Sequence, residues 1–586
     1  MARKREAEAP EDPTRAIIAE YRVLLSAPAV LPSLRWEPMR LGHTWQTTPD
    51  GRWDLPVHTL GWEVLGWCGH WLQHDDETPW RFTPEQARLV LWWYAVDGDG
   101  RFLYRDGVLQ RLKGWGKDPL GACLCFVEAV GPCRFAGWGD DGEPLAVDNP
   151  SAWVQTAAVS LEQTKNTTLL FQTLPTAEAI AHFGAQVGVE VSHFAGGRRI
   201  QAVTSSPRTL EGGRATFVLL NETQHWDSSN GGHEMAAVIS RNAAKSAGGS
   251  ARTLRITNAY EPGGDSVGQR DREAYDAVRA GRATDTGLMY DSLEAPPEAP
   301  LSAAEAAAVV DAVRGDSHWL DLTRVVAEIL DVRNPASTSR RFWYNQIVAS
   351  EDAWVVPQVW DACADPTHIV PDGCAITLGF DGSRTDDESA LVACEVETDH
   401  LFALGVWSPG EAGEVDRAAI DAAVRKAFDR WDVVGFFADL HPWESYVDRW
   451  AEDLSEHLPA RAAPKHAVAW DMASRQKDFT LAAGRFLEAV QDSAQEARDA
   501  LVEGRPPRRR LTHDGTQRFR QHVHNARRAP NAWGVTIRKE HRESARKIDA
   551  LPAAILARLA RLDYLALPAG RRRQRASHSP GLKGLW

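Results

Sequence analysis

The stretch that decides the reading is Ala375-Ile376-Thr377-Leu378-Gly379-Phe380-Asp381-Gly382-Ser383-Arg384-Thr385-Asp386-Asp387. An apolar run stops on a carboxylate, Asp381, and a Gly-Ser turn follows at once. A strand that ends this way holds its acid rigidly at a sheet rim, where a divalent cation can reach it. Working outward, 391–396 and 401–406 read as two more strands, and 413–431 as an amphipathic helix with Ala, Val and Phe every three or four positions. The run 433–438 is again apolar and again ends on an acid, Asp439. Much further on, Lys547-Ile548-Asp549-Ala550 opens a helical run to about 565.

Three hairpin-linked strands, a helix and a strand, with acids after the first and fourth strands and on a late helix, form the ribonuclease-H-like plan. Asp381, Asp439 and Asp549, on three elements, can together hold two metal ions for phosphodiester hydrolysis. His522 and His524, two apart on a predicted helix, face different ways and read as packing or phosphate contacts.

Upstream, Arg111-Leu112-Lys113-Gly114-Trp115-Gly116-Lys117-Asp118 follows extended runs at 101–110, read as a hairpin around Asp106-Gly107, and precedes a helical run. Strand, glycine-bearing loop, lysine and helix outline a phosphate-binding loop. Gly114, Gly116 and Lys117 would cradle the β- and γ-phosphates of ATP with the N–H groups of the helix start. The loop departs from the usual pattern twice. Arg111 stands where the first glycine is expected, and Asp118 where a Mg²⁺-binding hydroxyl is expected. A buried-strand run at 216–220 ends on Asn221-Glu222, the Walker B arrangement, with Glu222 placed to orient or deprotonate water. Another strand ends at Thr257-Asn258. Asn221 stands where the usual aspartate is expected, which leaves two readings: the Mg²⁺ carboxylate has changed sides to Asp118 with the local charge kept, or the site is degenerate and binds nucleotide poorly. Gln86 has two readings, the third residue of a capping box begun by Thr83 or an adenine-reading side chain. Arg340 and Arg341, on a basic-aromatic helix, allow either DNA contact or packing.

The 586 residues carry a net charge of −14, but 501–586 holds 20 Lys and Arg against 6 Asp and Glu. That basic end on an acidic body suggests a localised polyanion surface, or a solvated basic tail, rather than a general nucleic-acid coat. The seven cysteines form no C-x-x-C pair, which suggests neither a zinc site nor a disulfide framework. No apolar run approaches membrane-spanning length, and the charged start lacks a signal core, so the expectation is neither membrane insertion nor secretion. The 24 tryptophans have no account from sequence beyond core and interface anchoring.

Together these motifs resemble the large terminase subunit of tailed bacteriophages, over about residues 75–565. The resemblance implies an α/β chain in which a P-loop (RecA/ASCE-like) ATPase precedes a ribonuclease-H-like nuclease. The boundaries expected are an irregular segment at 1–60, the ATPase at 61–295, a linker and helical bridge at 296–365, the nuclease at 366–570 and a basic tail at 571–586. It implies ATP and Mg²⁺ as cofactors, with Mn²⁺ an alternative in the nuclease. The partners it implies are double-stranded DNA, a portal and procapsid, a small terminase subunit and a homo-oligomeric ring, in the host cytoplasm. Carried over by position, Lys117 binds phosphate, Glu222 is the catalytic carboxylate, Thr257 and Asn258 couple hydrolysis to movement, and Arg111 stabilises transition-state charge. Asp387 is a possible fourth metal ligand, with Asp386 and Glu388 beside it. Arg208 and Arg214 are candidates for a trans-acting arginine. The rival readings are a helicase or remodelling ATPase without a nuclease, and a ribonuclease-H-like recombinase with a degenerate front.

Overall fold

The apolar runs picked out in the sequence become central strands of two sheets. The structure is a computed structural model that describes residues 13–29, 36–204, 211–246, 250–349, 352–383, 387–410, 413–508, 511–540, 544 and 546–569. The chain forms two units, Met1–Val348 and Ala349–Trp586.

In the first unit the strands are β1 (Met39–Leu41), β2 (Asp106–Gln110), β3 (Arg134–Trp138), β4 (Pro144–Val147), β5 (Trp153–Ala157), β6 (Val191–His193), β7 (Arg199–Val203), β8 (Phe217–Asn221), β9 (Arg252–Thr257) and β10 (Leu288–Glu294). Eight of them make one sheet in the order β1-β10-β2-β9-β8-β5-β7-β6. The inner six are parallel, and β1 and β6 close the edges antiparallel. Every residue of β8 is buried, as a central parallel strand covered on both faces requires. One strand, β9, lies between β2 and β8, the order of an ASCE-type P-loop NTPase. The carboxyl ends of β2, β8 and β9 lie level, with Gln110 opposite Thr257 and Asn221 opposite Ile256. Ligands of open parallel sheets bind at such an edge.

Two features differ from the sequence reading. Asp106-Gly107 is no hairpin turn; both residues lie inside β2, paired in parallel with β9 and β10. The glycine answers to packing, because a Cβ there would sit 2.7 Å from the Trp93 ring. Nor is 1–60 wholly irregular. Ile17, Tyr21 and Leu25 recur every fourth residue on the helix Pro13–Leu25, all buried, and the Tyr21 hydroxyl accepts the Phe82 N–H at 2.7 Å. Within 296–365, the helices Ala306–Val313, Leu322–Ile329 and Ala336–Trp343 belong to the first unit and Pro357–Asp361 to the second. Arg341 pairs with Glu261 at 3.3 Å, and Arg340 donates to the Ala299 carbonyl, so both guanidiniums are engaged within their own unit.

The second unit is built on β11 (Ala375–Asp381), β12 (Ser389–Glu395), β13 (His400–Trp407), β14 (Asp432–Ala438) and β15 (Thr512–His513), ordered β14-β11-β12-β13-β15. β11, β12 and β13 are antiparallel neighbours, and the helix Arg417–Arg430 returns the chain so that β14 runs parallel to β11. Bridges from Gly435 to Ala460 and from Ala438 to Ala469 extend the sheet beyond β14 in parallel. This is the ribonuclease-H-like sheet. A hairpin of β16 (Arg527–Asn531) and β17 (Gly534–Arg538) precedes the helix Ala550–Ala566. Trp443 and Trp450 pack edge-on against Phe380 under the rim, which accounts for two of the many tryptophans. Among the described residues no helix is long and apolar enough to cross a membrane.

Candidate active sites

In the first unit the loop leaving β2 turns at Gly114 (φ +82°) and Gly116 (φ +98°), left-handed conformations that glycine adopts at no steric cost. Gly116 is the N-cap of the helix Lys117–Val130, whose first N–H groups are left for a ligand. Lys117 Nζ folds back to donate to the carbonyls of Arg111 (3.2 Å) and Leu112 (3.1 Å). Burial lowers its pKa to about 8, against the opposing pull of Glu222 and Asp118. Glu222 sits beyond β8 in a left-handed conformation (φ 56°), rare for a residue with a side chain. Gln224 ties Glu222 to β9. Its Nε2 donates to the Glu222 carboxylate at 2.5 Å, and its Oε1 accepts from Thr257 Oγ1 (2.6 Å) and the Asn258 N–H (3.3 Å). Asn258 Nδ2 donates to the same Arg111 carbonyl that Lys117 uses, at 2.7 Å. One polar chain thus joins Glu222, Thr257, Asn258 and Lys117.

Asp118 and Asn221 meet through a residue that sequence reading missed. Thr167 Oγ1 donates to Asp118 Oδ1 at 3.2 Å and accepts from Asn221 Nδ2 at 2.6 Å. Burial raises the Asp118 pKa, with Lys117 opposing.

Gln86 completes the capping box, its Oε1 accepting the Thr83 N–H at 3.2 Å while its own N–H donates to Thr83 Oγ1 at 3.3 Å. It also lines a cavity of about 340 Å³ beside Gly116, among Trp80, Pro119, Leu170 and Trp319. The two readings are compatible, since the cap uses Oε1 and the backbone N–H while Nε2 stands near Gly116. Trp319, whose Nε1 donates to the Gly114 carbonyl at 2.9 Å, is another residue the sequence did not single out.

Arg111 is placed differently from its expectation. Its side chain is 1% exposed, donates to Glu85 at 2.9 Å and is paired with Asp291. Two buried carboxylates hold the guanidinium, whose donors are turned to Glu85 and Asp291. Arg214 is exposed, and Arg208 lies outside the described residues.

In the second unit Asp381 ends β11, and the Asp439 N–H donates to the Phe380 carbonyl at 2.9 Å, placing the two acids side by side at the rim. The helix Ala550–Ala566 runs back across β11. Thr377 Oγ1 donates to the Ala557 carbonyl at 2.7 Å, and a Cβ on Gly379 would lie 1.9 Å from the Ala553 carbonyl oxygen. Two strand residues (about 6.7 Å) match four helix residues (about 6 Å). The next step along that register sets Asp549 over Asp381.

Burial raises the Asp381 pKa well above the carboxylate range, and Asp549 and Asp439 add to the rise while Lys539 opposes it. Burial likewise raises Asp549 and Asp439; Lys539 and His522 oppose the first, and the N–H groups of Met472 and Leu440 the second. Asp549 Oδ2 is buried with no hydrogen-bond partner among the described residues. Among those residues no three His, Cys, Asp or Glu side chains are arranged to hold a metal ion as they stand. What converges is backbone position, with Asp549 and Asp439 near enough to Asp381 to raise its pKa, in an all-oxygen donor set suited to Mg²⁺ or Mn²⁺.

Asp387 is not free to join them. One of its oxygens accepts from Lys547 at 2.8 Å and the other is paired with Lys539. These lysines hold its pKa below the ordinary value despite burial, which pushes it up. Asp386 lies outside the described residues. Glu388 turns to His522, whose Nε2 is 2.9 Å from its carboxylate. His522 Nδ1 accepts the Ala550 N–H at 3.0 Å, so it braces the start of the helix that follows Asp549. His513 stacks on Trp360 at 4.1 Å, and burial lowers its pKa to about 4. Lys539 and the role of His522 have no signal in the sequence, because their partners are far away along it.

The fold is therefore a P-loop NTPase unit followed by a ribonuclease-H-like unit. The chain is 40% identical over 583 residues to the Gene 13 protein of Mycobacterium phage L5, covering 90% of this chain and 95% of that protein. It is also 40% identical over 585 residues to the Gene 13 protein of Mycobacterium phage D29, with the same coverage. The chain belongs to the family of these mycobacteriophage Gene 13 proteins. The crystal structure of the HK97 bacteriophage large terminase matches 85% of this chain and 99% of its own, at 16% identity and a TM-score of 0.42. No protein-family model matches the sequence.

Proposed function

We propose that this protein is a phage terminase large subunit: an ATP-driven motor that moves double-stranded DNA into a procapsid and a nuclease that cuts the concatemeric genome. One observation carries the reading. A single chain carries Lys117 on a glycine-turned loop and Glu222 at the same carboxyl edge of one parallel sheet, and separately Asp381 and Asp439 side by side at the rim of a ribonuclease-H-like sheet, crossed by the helix that follows Asp549. A helicase reading leaves that rim without a purpose, and a recombinase reading leaves Lys117 and Glu222 without one.

In the first unit Lys117 releases the Arg111 and Leu112 carbonyls and takes the β- and γ-phosphates of ATP, with the N–H groups after Gly116 beside it. Glu222 orients or deprotonates the attacking water. The Gln224 chain carries the state of that site to Thr257 and Asn258, the coupling pair. Gln86 reads the adenine edge. Asp118 and Asn221 would hold the Mg²⁺ of the nucleotide. In the second unit Asp381, Asp439 and Asp549 would hold two Mg²⁺ or Mn²⁺ ions, which supply an activated water and neutralise charge at the scissile phosphate. Asp387 keeps Lys539 and Lys547 beside the rim, where their ammonium groups meet the DNA backbone. The partners in this reading are the portal and procapsid, a small terminase subunit and further copies of this chain in a ring, in the host cytoplasm.

The test measures ATP turnover and plasmid cutting on the same preparations. Glu222→Gln should abolish turnover and leave cutting intact, and Asp381→Asn should do the reverse. Undiminished cutting by Asp381→Asn rejects the nuclease assignment; undiminished turnover by Glu222→Gln rejects the motor.

A further inference from the structure

Lys117 is followed by a carboxylate where a phosphate loop carries a hydroxyl, and β8 ends on an amide where it carries a carboxylate. We propose that Thr167 supplies the missing hydroxyl, so that Asp118, Thr167 and Asn221 form the nucleotide's Mg²⁺ site with charge and hydroxyl exchanged between elements. The inference rests on the nucleotide-binding reading of the first unit and deepens it.

Thr167 stands near the end of the helix Leu161–Thr168 and is fully buried. Its single hydroxyl proton goes to Asp118 Oδ1. Its oxygen must then accept, and it does so from Asn221 Nδ2. That bond engages the amide's nitrogen and leaves Asn221 Oδ1 as its remaining polar atom. Asn221 is 1% exposed, and this Oδ1 has no hydrogen-bond partner among the described residues. A buried acceptor without a donor is costly unless a cation or an ordered water meets it. A carboxylate, a hydroxyl and an amide carbonyl are all hard oxygen donors, the set Mg²⁺ prefers beside a nucleotide phosphate. A hydroxyl borrowed from the neighbouring helix also explains how the loop tolerates Asp118, since Thr167 gives its carboxylate a donor.

The experiment measures binding of a fluorescent ATP analogue to the full chain, in EDTA and across a Mg²⁺ titration. Thr167→Val keeps the side-chain shape and removes the hydroxyl; Thr167→Ser keeps the hydroxyl. Thr167→Val should raise the Mg²⁺ midpoint about tenfold or more, with affinity in EDTA within about twofold of wild type, which also reports an intact fold. Thr167→Ser should stay within about threefold in both. In the Asp118→Ser/Asn221→Asp background, where charge and hydroxyl return to their usual elements, adding Thr167→Val should shift the midpoint less than about threefold. A wild-type midpoint in Thr167→Val, or the same tenfold shift in the swapped background, overturns the proposal. A wild-type chain that binds no nucleotide overturns the ATPase reading itself, a distinguishable result.

Discussion

Gly379→Ala tests the geometry of the nuclease rim without touching any acid. The added Cβ would lie 1.9 Å from the Ala553 carbonyl oxygen and 2.4 Å from the Ala557 N–H nitrogen. Both are backbone atoms of a buried helix, so no side chain can swing aside. A Cβ tolerates little under 3.0 Å, so the helix Ala550–Ala566 must back off by about 1 Å. Overpacking of this kind costs about 1–3 kcal/mol. For a domain of this size that lowers Tm by about 2–12 °C. The same shift carries Asp549 away from Asp381 and Asp439, and a misplacement of about 1 Å can cost about a hundredfold in rate. Plasmid cutting in Mg²⁺ or Mn²⁺, with ATP turnover as the internal control, measures the effect. The expected result is cutting reduced about a hundredfold with turnover unchanged. Wild-type cutting and wild-type melting in Gly379→Ala would refute the helix-on-strand register.

Three more outcomes follow from the sites. Arg111→Met strips the cation from two buried carboxylates and should cost about 3–5 kcal/mol in denaturant unfolding of the first unit; unchanged stability with lost ATP turnover would return Arg111 to a catalytic role. Lys117 has a pKa lowered to about 8 in the free protein, so the ammonium that meets phosphate is present below that pH and must be regained on binding above it. Nucleotide affinity should therefore fall by up to about tenfold per pH unit above 8, with Lys117→Arg flattening the profile; a flat wild-type profile from pH 7 to 10 contradicts this. His522→Ala leaves the Ala550 N–H without its acceptor and removes one of the partners of Glu388, which keeps Arg518 and Ser408, at about 1–3 kcal/mol, and should raise the Mg²⁺ needed for half-maximal cutting; His522→Asn, which returns an acceptor near the Nδ1 position, should restore part of it.

Much of the fold is legible because strand runs ending on acids are local patterns. The runs 217–220 of β8 and 433–438 of β14 are apolar and stop where the amide or acid begins, so Glu222 and Asp439 are found by inspection. Asp106-Gly107 misleads because turn residues are also the ones that fit under a large ring, and only the position of Trp93 distinguishes the cases. Arg111 shows the limit at a site. The loop places it, but its partners Glu85 and Asp291 come from a helix start and from β10, and nothing in the local sequence says that its side chain turns inward. Thr167, Lys539 and His522 are illegible for the same reason. Each acts through partners dozens to more than a hundred residues away, and each lies in a stretch unremarkable by itself. The tryptophans gain an explanation only from packing, as where Trp443 closes on Gly382 so tightly that a Cβ there would sit 2.4 Å from its ring.

The most direct measurement is anomalous diffraction at the manganese edge from crystals of the full chain soaked in Mn²⁺. The account predicts two peaks between β11, β14 and the start of the helix Ala550–Ala566, with carboxylate oxygens of Asp381, Asp439 and Asp549 about 2.2 Å from manganese. Manganese bound elsewhere, or a rim that stays empty while the three carboxylates remain apart, would contradict it.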